Sequence, residues 1–179
     1  MCSSDLSDIK GVGVKFVVDR TAPVVTASGL EINGRYQTDS QVVTLIPTDD
    51  GGALYSLEVL LVDNNGNTIR TLVEKLEGQA LEKALEEGDG KISFTLDEGL
   101  FQNVRIICDD CAYYGDEANV IYDQIFTDVS VSSSPIKIFW ANKPLRWGTI
   151  GGAVAIVAAV ILAILMKKRK KEEKKAGKH

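Results

Sequence analysis

Nineteen consecutive residues, Gly148 to Met166 ("GTIGGAVAIVAAVILAILM"), contain no charge, no Pro, no Asn and no Gln. As a helix rising 1.5 Å per residue, such a stretch covers about 28 Å, close to the hydrocarbon thickness of a bilayer. A core helix of a globular protein keeps a polar face toward water, and this stretch has none. It is predicted to be a transmembrane helix with membrane lipid as its partner. Trp147 stands at its start and Trp140 a little upstream, where an aromatic belt would meet the headgroups. Met166 closes it, and Lys167, Lys168 and Arg169 open a basic tail. Gly148 and Gly152, four residues apart, would permit two such helices to pair.

The charges give an orientation. Residues 167–179 carry eight Lys/Arg against two Glu, whereas residues 1–166 carry twelve Lys/Arg against 23 Asp/Glu. Only Lys143 and Arg146 lie just upstream of the span. The positive-inside rule then puts the C-terminus in the cytoplasm and residues 1–146 outside, a single-pass arrangement in the cell membrane. The tail reads as a stop-transfer anchor touching anionic headgroups. It lacks interleaved aromatics, and the external part is acidic, so no nucleic-acid partner is expected. The opening "MCSSDLSDIK" has neither a basic n-region nor an apolar core. An exported protein of this topology is expected to begin further upstream, so Cys2 is given no weight.

Between these ends the pattern is that of short strands. "IKGVGVKFVV" (9–18) is Val-rich, and "QVVTLIPTDDGG" (41–52) runs into an acidic turn. "ALYSLEVLLVDNNGNTIRTLV" is a hairpin: Leu54, Leu57, Val59 and Leu61 form its apolar run, Asn65-Gly66 its turn and Thr68–Val73 its return. "GKISFTLDE" alternates Ile92, Phe94 and Leu96, and "FQNVRIIC" alternates Phe101, Val104 and Ile106 with one slip, as a bulge would give. "ANVIYDQIFTDVSV" supplies Val120, Tyr122, Ile125, Val129 and Val131. One short amphipathic helix interrupts the series, with Leu76, Ala80, Leu81, Ala84 and Leu85 at helical spacing before Gly88. The expectation is a mostly β fold, a sandwich of about seven strands with one short helix, followed by a single transmembrane helix.

Three stretches carry a family resemblance: "VVDRTAPVVT", "PTDDGGALYSLEVLLVDNNGNT" and "DGKISFTL…FQNVRIICDDCAYYGDEANVIYD". Together they resemble the bacterial immunoglobulin-like domains strung in tandem on Gram-positive surface proteins. The family's compact loop before the last strand is replaced by the longer "CAYYGDEAN". The resemblance implies an immunoglobulin-like β-sandwich over residues 19–131. It makes residues 1–18 a truncated segment ending in the last strand of a preceding domain, and the chain the C-terminal part of a larger protein. Residues 132–147 would be a juxtamembrane linker, 148–166 the transmembrane helix and 167–179 the cytoplasmic tail. A Leu-Pro-x-Thr-Gly sorting signal is absent, which implies retention in the membrane rather than transfer to the wall.

Candidate chemistry is sparse. Cys108 and Cys111 form a Cys-x-x-Cys, but Cys108 ends a strand beside Asp109 and Asp110, which would raise its pKa rather than activate it. Zinc would need further soft ligands, and only Cys2 and His179 remain. A disulfide is allowed outside the cell, while the strain of so small a loop in extended geometry favours free thiols. Asp49, Asp50, Asp109, Asp110, Asp116 and Glu117 fall at strand ends, where a sandwich gathers its loops. They are candidate calcium ligands, against the simpler reading of a solvated acidic rim. "DNNGN" (63–67) has its glycine at the wrong place for an EF-hand and reads as a turn. With the one His as the last residue, no Ser-His-Asp or Cys-His arrangement can form outside the membrane, and no cofactor site or catalysis is expected. The chain reads as a non-enzymatic surface protein, a stalk or adhesion module with an extracellular protein or glycan as partner. The alternatives are the anchor of a larger ectoenzyme, such as a glycoside hydrolase, and a carbohydrate-binding module.

Overall fold

The computed structural model describes residues 21–176 apart from 51–53, 111–112, 115–116 and 119–120; side chains at 111–120 and beyond 168 are outside that description. The expected strand at 9–18 lies outside the described residues. The chain divides into two units, Met1–Ile138 and Phe139–His179.

The first unit is built from β1 (Val24–Ser28), β2 (Arg35–Tyr36), β3 (Ser40–Thr48), β4 (Leu54–Val62), β5 (Thr68–Glu77), α1 (Gln79–Glu87), β6 (Ile92–Asp97), β7 (Gly99–Asp110), β8 (Tyr113–Tyr114), β9 (Glu117–Ala118) and β10 (Tyr122–Val131). One sheet runs β1-β3-β6 and a second β2-β10-β7-β4-β5, with β8 and β9 as a separate small pair. All pairings are antiparallel except that of β2 with β10. Pro47 fits inside β3 because the ladder to β6 ends at Leu45↔Ile92, so β3 has one neighbour where the missing N–H falls.

Alternation sends one face of each strand inward. Val43 and Leu45 of β3, Leu57 and Val59 of β4, Ile92, Phe94 and Leu96 of β6, and Val104, Ile106 and Cys108 of β7 belong to one buried cluster. In β10 Ile125, one of the strand's apolar residues, is 38% exposed, whereas Phe126, at 8%, points in. The cause is a register shift between Phe126 and Val129, with Asp128 in a left-handed conformation (φ 57°). Such a bulge flips the parity of the strand, so Phe126 before it and Val129 and Val131 after it all face the core. The slip expected in β7 is also a backbone feature, since Phe101 has φ 57°.

Leu76, read from its spacing as part of the helix, lies in β5 and pairs with Leu57. The helix starts only after Gly78, whose φ of 51° suits a residue without Cβ. Leu81 of α1 is fully buried in the core cluster, and Ala84 and Leu85 pack against it. The helix stops where Gly88 and Gly90 donate their N–H groups back to Ala84 (3.0 Å) and Leu85 (2.7 Å).

The expected linker at 132–147 is largely helical. Helix α2 (Pro135–Ala141) begins at Ser134, whose Oγ accepts from Lys137 N at 3.5 Å, and Pro135 fills the first helical position. Asn142 caps α3 (Lys143–Ala176), its Oδ1 accepting from Leu145 N at 3.2 Å. Within α3, Lys143–Lys168 is a 26-residue candidate membrane span whose 18-residue apolar stretch has a mean hydropathy of 2.6 and is not buried against the rest of the chain. The chain is therefore mostly β, with short helices and one long apolar C-terminal helix that has the length and composition to cross a membrane.

Candidate functional site

The Cys-x-x-Cys stretch lies at the end of β7, the middle strand of the larger sheet. Cys108 pairs in register with Leu57 of β4 and Tyr122 of β10, and its side chain is fully enclosed. It is a free thiol. Burial, then the charges of Asp109, Asp110 and Asp49, push its pKa up from 9.0 to about 12. A thiol held protonated among carboxylates is neither nucleophile nor metal ligand at neutral pH; it behaves as a small apolar core residue. Cys111 lies outside the described residues.

The same three acids mark the pole at which β3 and β7 end and β4 begins. Asp109 accepts a hydrogen bond from the buried Ser56 Oγ at 3.2 Å. Asp110 is buried and pairs in register with Leu54. Both carboxylate oxygens of Asp49 are buried without a hydrogen-bond partner among the described residues. Beside Asp49 a cleft of about 340 Å³ opens beneath α1, walled by Pro47, Leu54, Leu81 and Leu85 with Glu82 at its edge. Asp50 is exposed. Asp116 lies outside the described residues, and of Glu117 only its pairing with Tyr114 in the β8–β9 ladder is described. Among the described residues no three His, Cys, Asp or Glu side chains converge as a metal site requires. The structure thus brings the charges of Asp49, Asp109 and Asp110 to bear on the Cys108 thiol.

The "DNNGN" loop closes on itself. Asp63 Oδ1 accepts from the N–H of Asn65 and of Asn67, each at 2.8 Å, and Oδ2 accepts from Asn67 Nδ2 at 2.9 Å. Gly66, at φ 85°, completes the turn, and the Asn67 side chain, before the backbone donors, holds the Asp63 carboxyl below its usual range.

Two arrangements were not legible in the sequence. On the outer side of the larger sheet Arg105 forms a two-pronged ion pair with Asp123 across β7 and β10, at 2.8 and 2.5 Å. At the exit from β10, Glu98 Oε1 accepts from Ser132 Oγ at 2.6 Å and from Lys137 Nζ at 2.9 Å. Ser132 is fully buried, so this knot fixes the start of α2 to the β6–β7 turn. The sequence signal was only the bare "SSSP" before α2.

In the second unit Trp147, Gly148, Met166, Lys167, Lys168 and Arg169 all fall within α3, which extends beyond the 148–166 span in both directions. Arg146 Nη1 donates to the Trp140 carbonyl at 3.3 Å, and its guanidinium carbon lies 5.5 Å from the centre of the Trp147 ring. Phe139 and Trp140 meet edge to face, 5.7 Å apart. No protein-family model matches the chain, and no curated protein matches it.

Proposed function

We propose that the chain is a single-pass membrane protein whose β-rich unit is an immunoglobulin-like sandwich displayed outside the cell as a stalk or adhesion module, without catalysis of its own. The observation that carries this reading is a layered β unit followed in the same chain by a long helix with an unburied, uncharged 19-residue stretch, Gly148–Met166, and a strongly basic tail. Every apolar side chain of such a helix needs an apolar solvent, and its closed backbone hydrogen bonding suits a bilayer. The immunoglobulin-like reading is supported by the strand order β1-β3-β6 facing β2-β10-β7-β4-β5 over one core, with a short parallel strand added at the β10 edge. The eight Lys/Arg after Met166 support a cytoplasmic C-terminus.

Protease protection tests it. In cells exporting the full chain with a C-terminal epitope, external protease is expected to remove the β unit and leave a short membrane-held fragment that keeps the epitope. An epitope cleaved on intact cells overturns the orientation, and a chain released by alkaline carbonate overturns the anchor.

A further inference from the structure

The chain has two tryptophans, Trp140 and Trp147, and both are well exposed, at 49% and 64%. Lys143 and Arg146 lie between them, and from Val129 to Lys171 the chain has no acidic residue. This is a sharp change, because the chain up to Asp128 is dominated by Asp and Glu. Arg146 is held in place by both tryptophan residues, donating to the carbonyl of one and lying over the ring of the other. A guanidinium has five N–H donors in a planar fork that matches a phosphate, and the Trp140 carbonyl takes one of them. Indole rings favour the boundary between acyl chains and headgroups, and these flank the first residues of a helix with the length and composition to span. The chemistry presented at that depth is a fixed guanidinium, an ammonium and aromatic faces. It complements a phosphate that has no ammonium of its own beside it.

We infer that the collar of Phe139, Trp140, Lys143, Arg146 and Trp147 is a docking surface for anionic phospholipid headgroups in the leaflet that α3 enters. The inference rests on the membrane-spanning reading of α3. Because the collar holds both tryptophans, fluorescence excited selectively at tryptophan reports on it alone.

The test uses the full chain in phosphatidylcholine nanodiscs containing a fixed minor fraction of phosphatidylglycerol. Bromine quenchers are placed near the glycerol end of the acyl chains, either on the phosphatidylglycerol or on an equal fraction of the phosphatidylcholine. The brominated anionic lipid is expected to quench more strongly at low salt, its local enrichment changing by about fivefold for each cation neutralised. The excess should vanish in the double variant Lys143→Gln/Arg146→Gln and persist in Lys143→Arg/Arg146→Lys. Equal quenching by the two labelled lipids overturns the inference. Quenching that follows the protein-to-lipid ratio rather than lipid charge assigns the collar to a second copy, and also overturns it. Quenching by neither lipid overturns the membrane reading beneath it.

Discussion

In the first unit Leu45, Leu57, Leu96 and Ile106 are wholly enclosed between two sheets, whereas in α3 Ile156, Val160, Leu162 and Leu165 keep more than half of their surface exposed. The side chains are of the same kinds; what differs is the apolar solvent. The β unit makes its own from facing strands, so its stability depends on how each side chain fills the space left by the others. The helix makes none, and on the proposed membrane-spanning reading its apolar surface meets lipid instead. Exposure therefore means opposite things in the two units, and substitutions can show it.

The largest effect is expected at the β core. Leu57→Ala should cost about 2–5 kcal/mol through lost transfer energy and the cavity left behind. Urea denaturation of the full chain in detergent, followed by its β-sheet circular dichroism, reads this directly. Leu162→Ala should leave the same transition within about 0.5 kcal/mol. Equal losses at the two positions would erase the contrast.

The reverse substitution sharpens it. Val42 on the outer side of the three-stranded sheet and Leu162 on α3 are about equally exposed, at 61% and 60%. If both faced water, Arg would be harmless at either. With lipid around α3, Leu162→Arg should cost about 2.5–3.5 kcal/mol of insertion and lower the fraction retained after carbonate extraction. Val42→Arg should change neither retention nor the urea midpoint. A tolerated arginine at 162 would break the comparison.

How legible each region was follows from the same physics. A span of uniform hydropathy can be read without knowing any contact, which is why α3 stood out; its extension to Lys143 depends on the Asn142 cap, a local choice made at the α2 junction. Strands with strict alternation, such as Ile92-Phe94-Leu96, were also legible, because period two fixes a face. The facing of Ile125 and the element holding Leu76 were not legible, for different reasons. At Ile125 a bulge resets the parity, and no residue in "QIFTDVSV" announces it, since Asp128 adopts a left-handed φ without being glycine. At Leu76 helical and strand periodicities overlap, and pairing with Leu57 decides between them. In the acidic pole, composition identified Asp49, Asp109 and Asp110, but their grouping around the Cys108 thiol needed the three-dimensional ends of β3 and β7. The Glu98–Ser132–Lys137 knot joins residues 34 and 39 positions apart and left no local signal.

Alkali offers a third probe, of the β unit alone. The Cys108 thiol ionises near 9.0 in an unfolded chain and at about 12 in the fold. The unfolded state therefore releases its proton first. The contribution of the buried thiol to stability is complete below pH 9.0 and is lost as pH rises toward 12. Burial also raises the Tyr36 and Tyr122 phenols, so some alkaline loss should remain without the cysteine. Urea midpoints of Cys108→Ala should lie below those of the parent at neutral pH and draw closer above pH 9.0. Parallel pH profiles would show that the thiol is not enclosed as the core requires.

The smallest effect lies on the acid side, in the β4–β5 turn. Asp63 has its pKa depressed from 3.8, first by the Asn67 side chain and then by the turn's own N–H groups. Its unfolded form takes up a proton at higher pH than its folded form does. The stabilisation is therefore fully present above 3.8 and is lost as pH falls through the lower folded value. Glu98, held by Ser132 and then Lys137, and Asp123, held by Arg105, are depressed in the same direction and share the acid limb. Asn at position 63 can still accept from the two backbone donors but carries no charge for Asn67 to stabilise. Asp63→Asn should therefore start slightly less stable at neutral pH and meet the parent once Asp63 is protonated, while the remaining carboxylates keep both curves falling. The residues from Lys143 to Lys171 include no carboxylate, so retention of α3 in the membrane should not follow that acid limb. If one protonation loosened both units together, their stabilities would not be separate, and the difference in apolar solvent would no longer account for them.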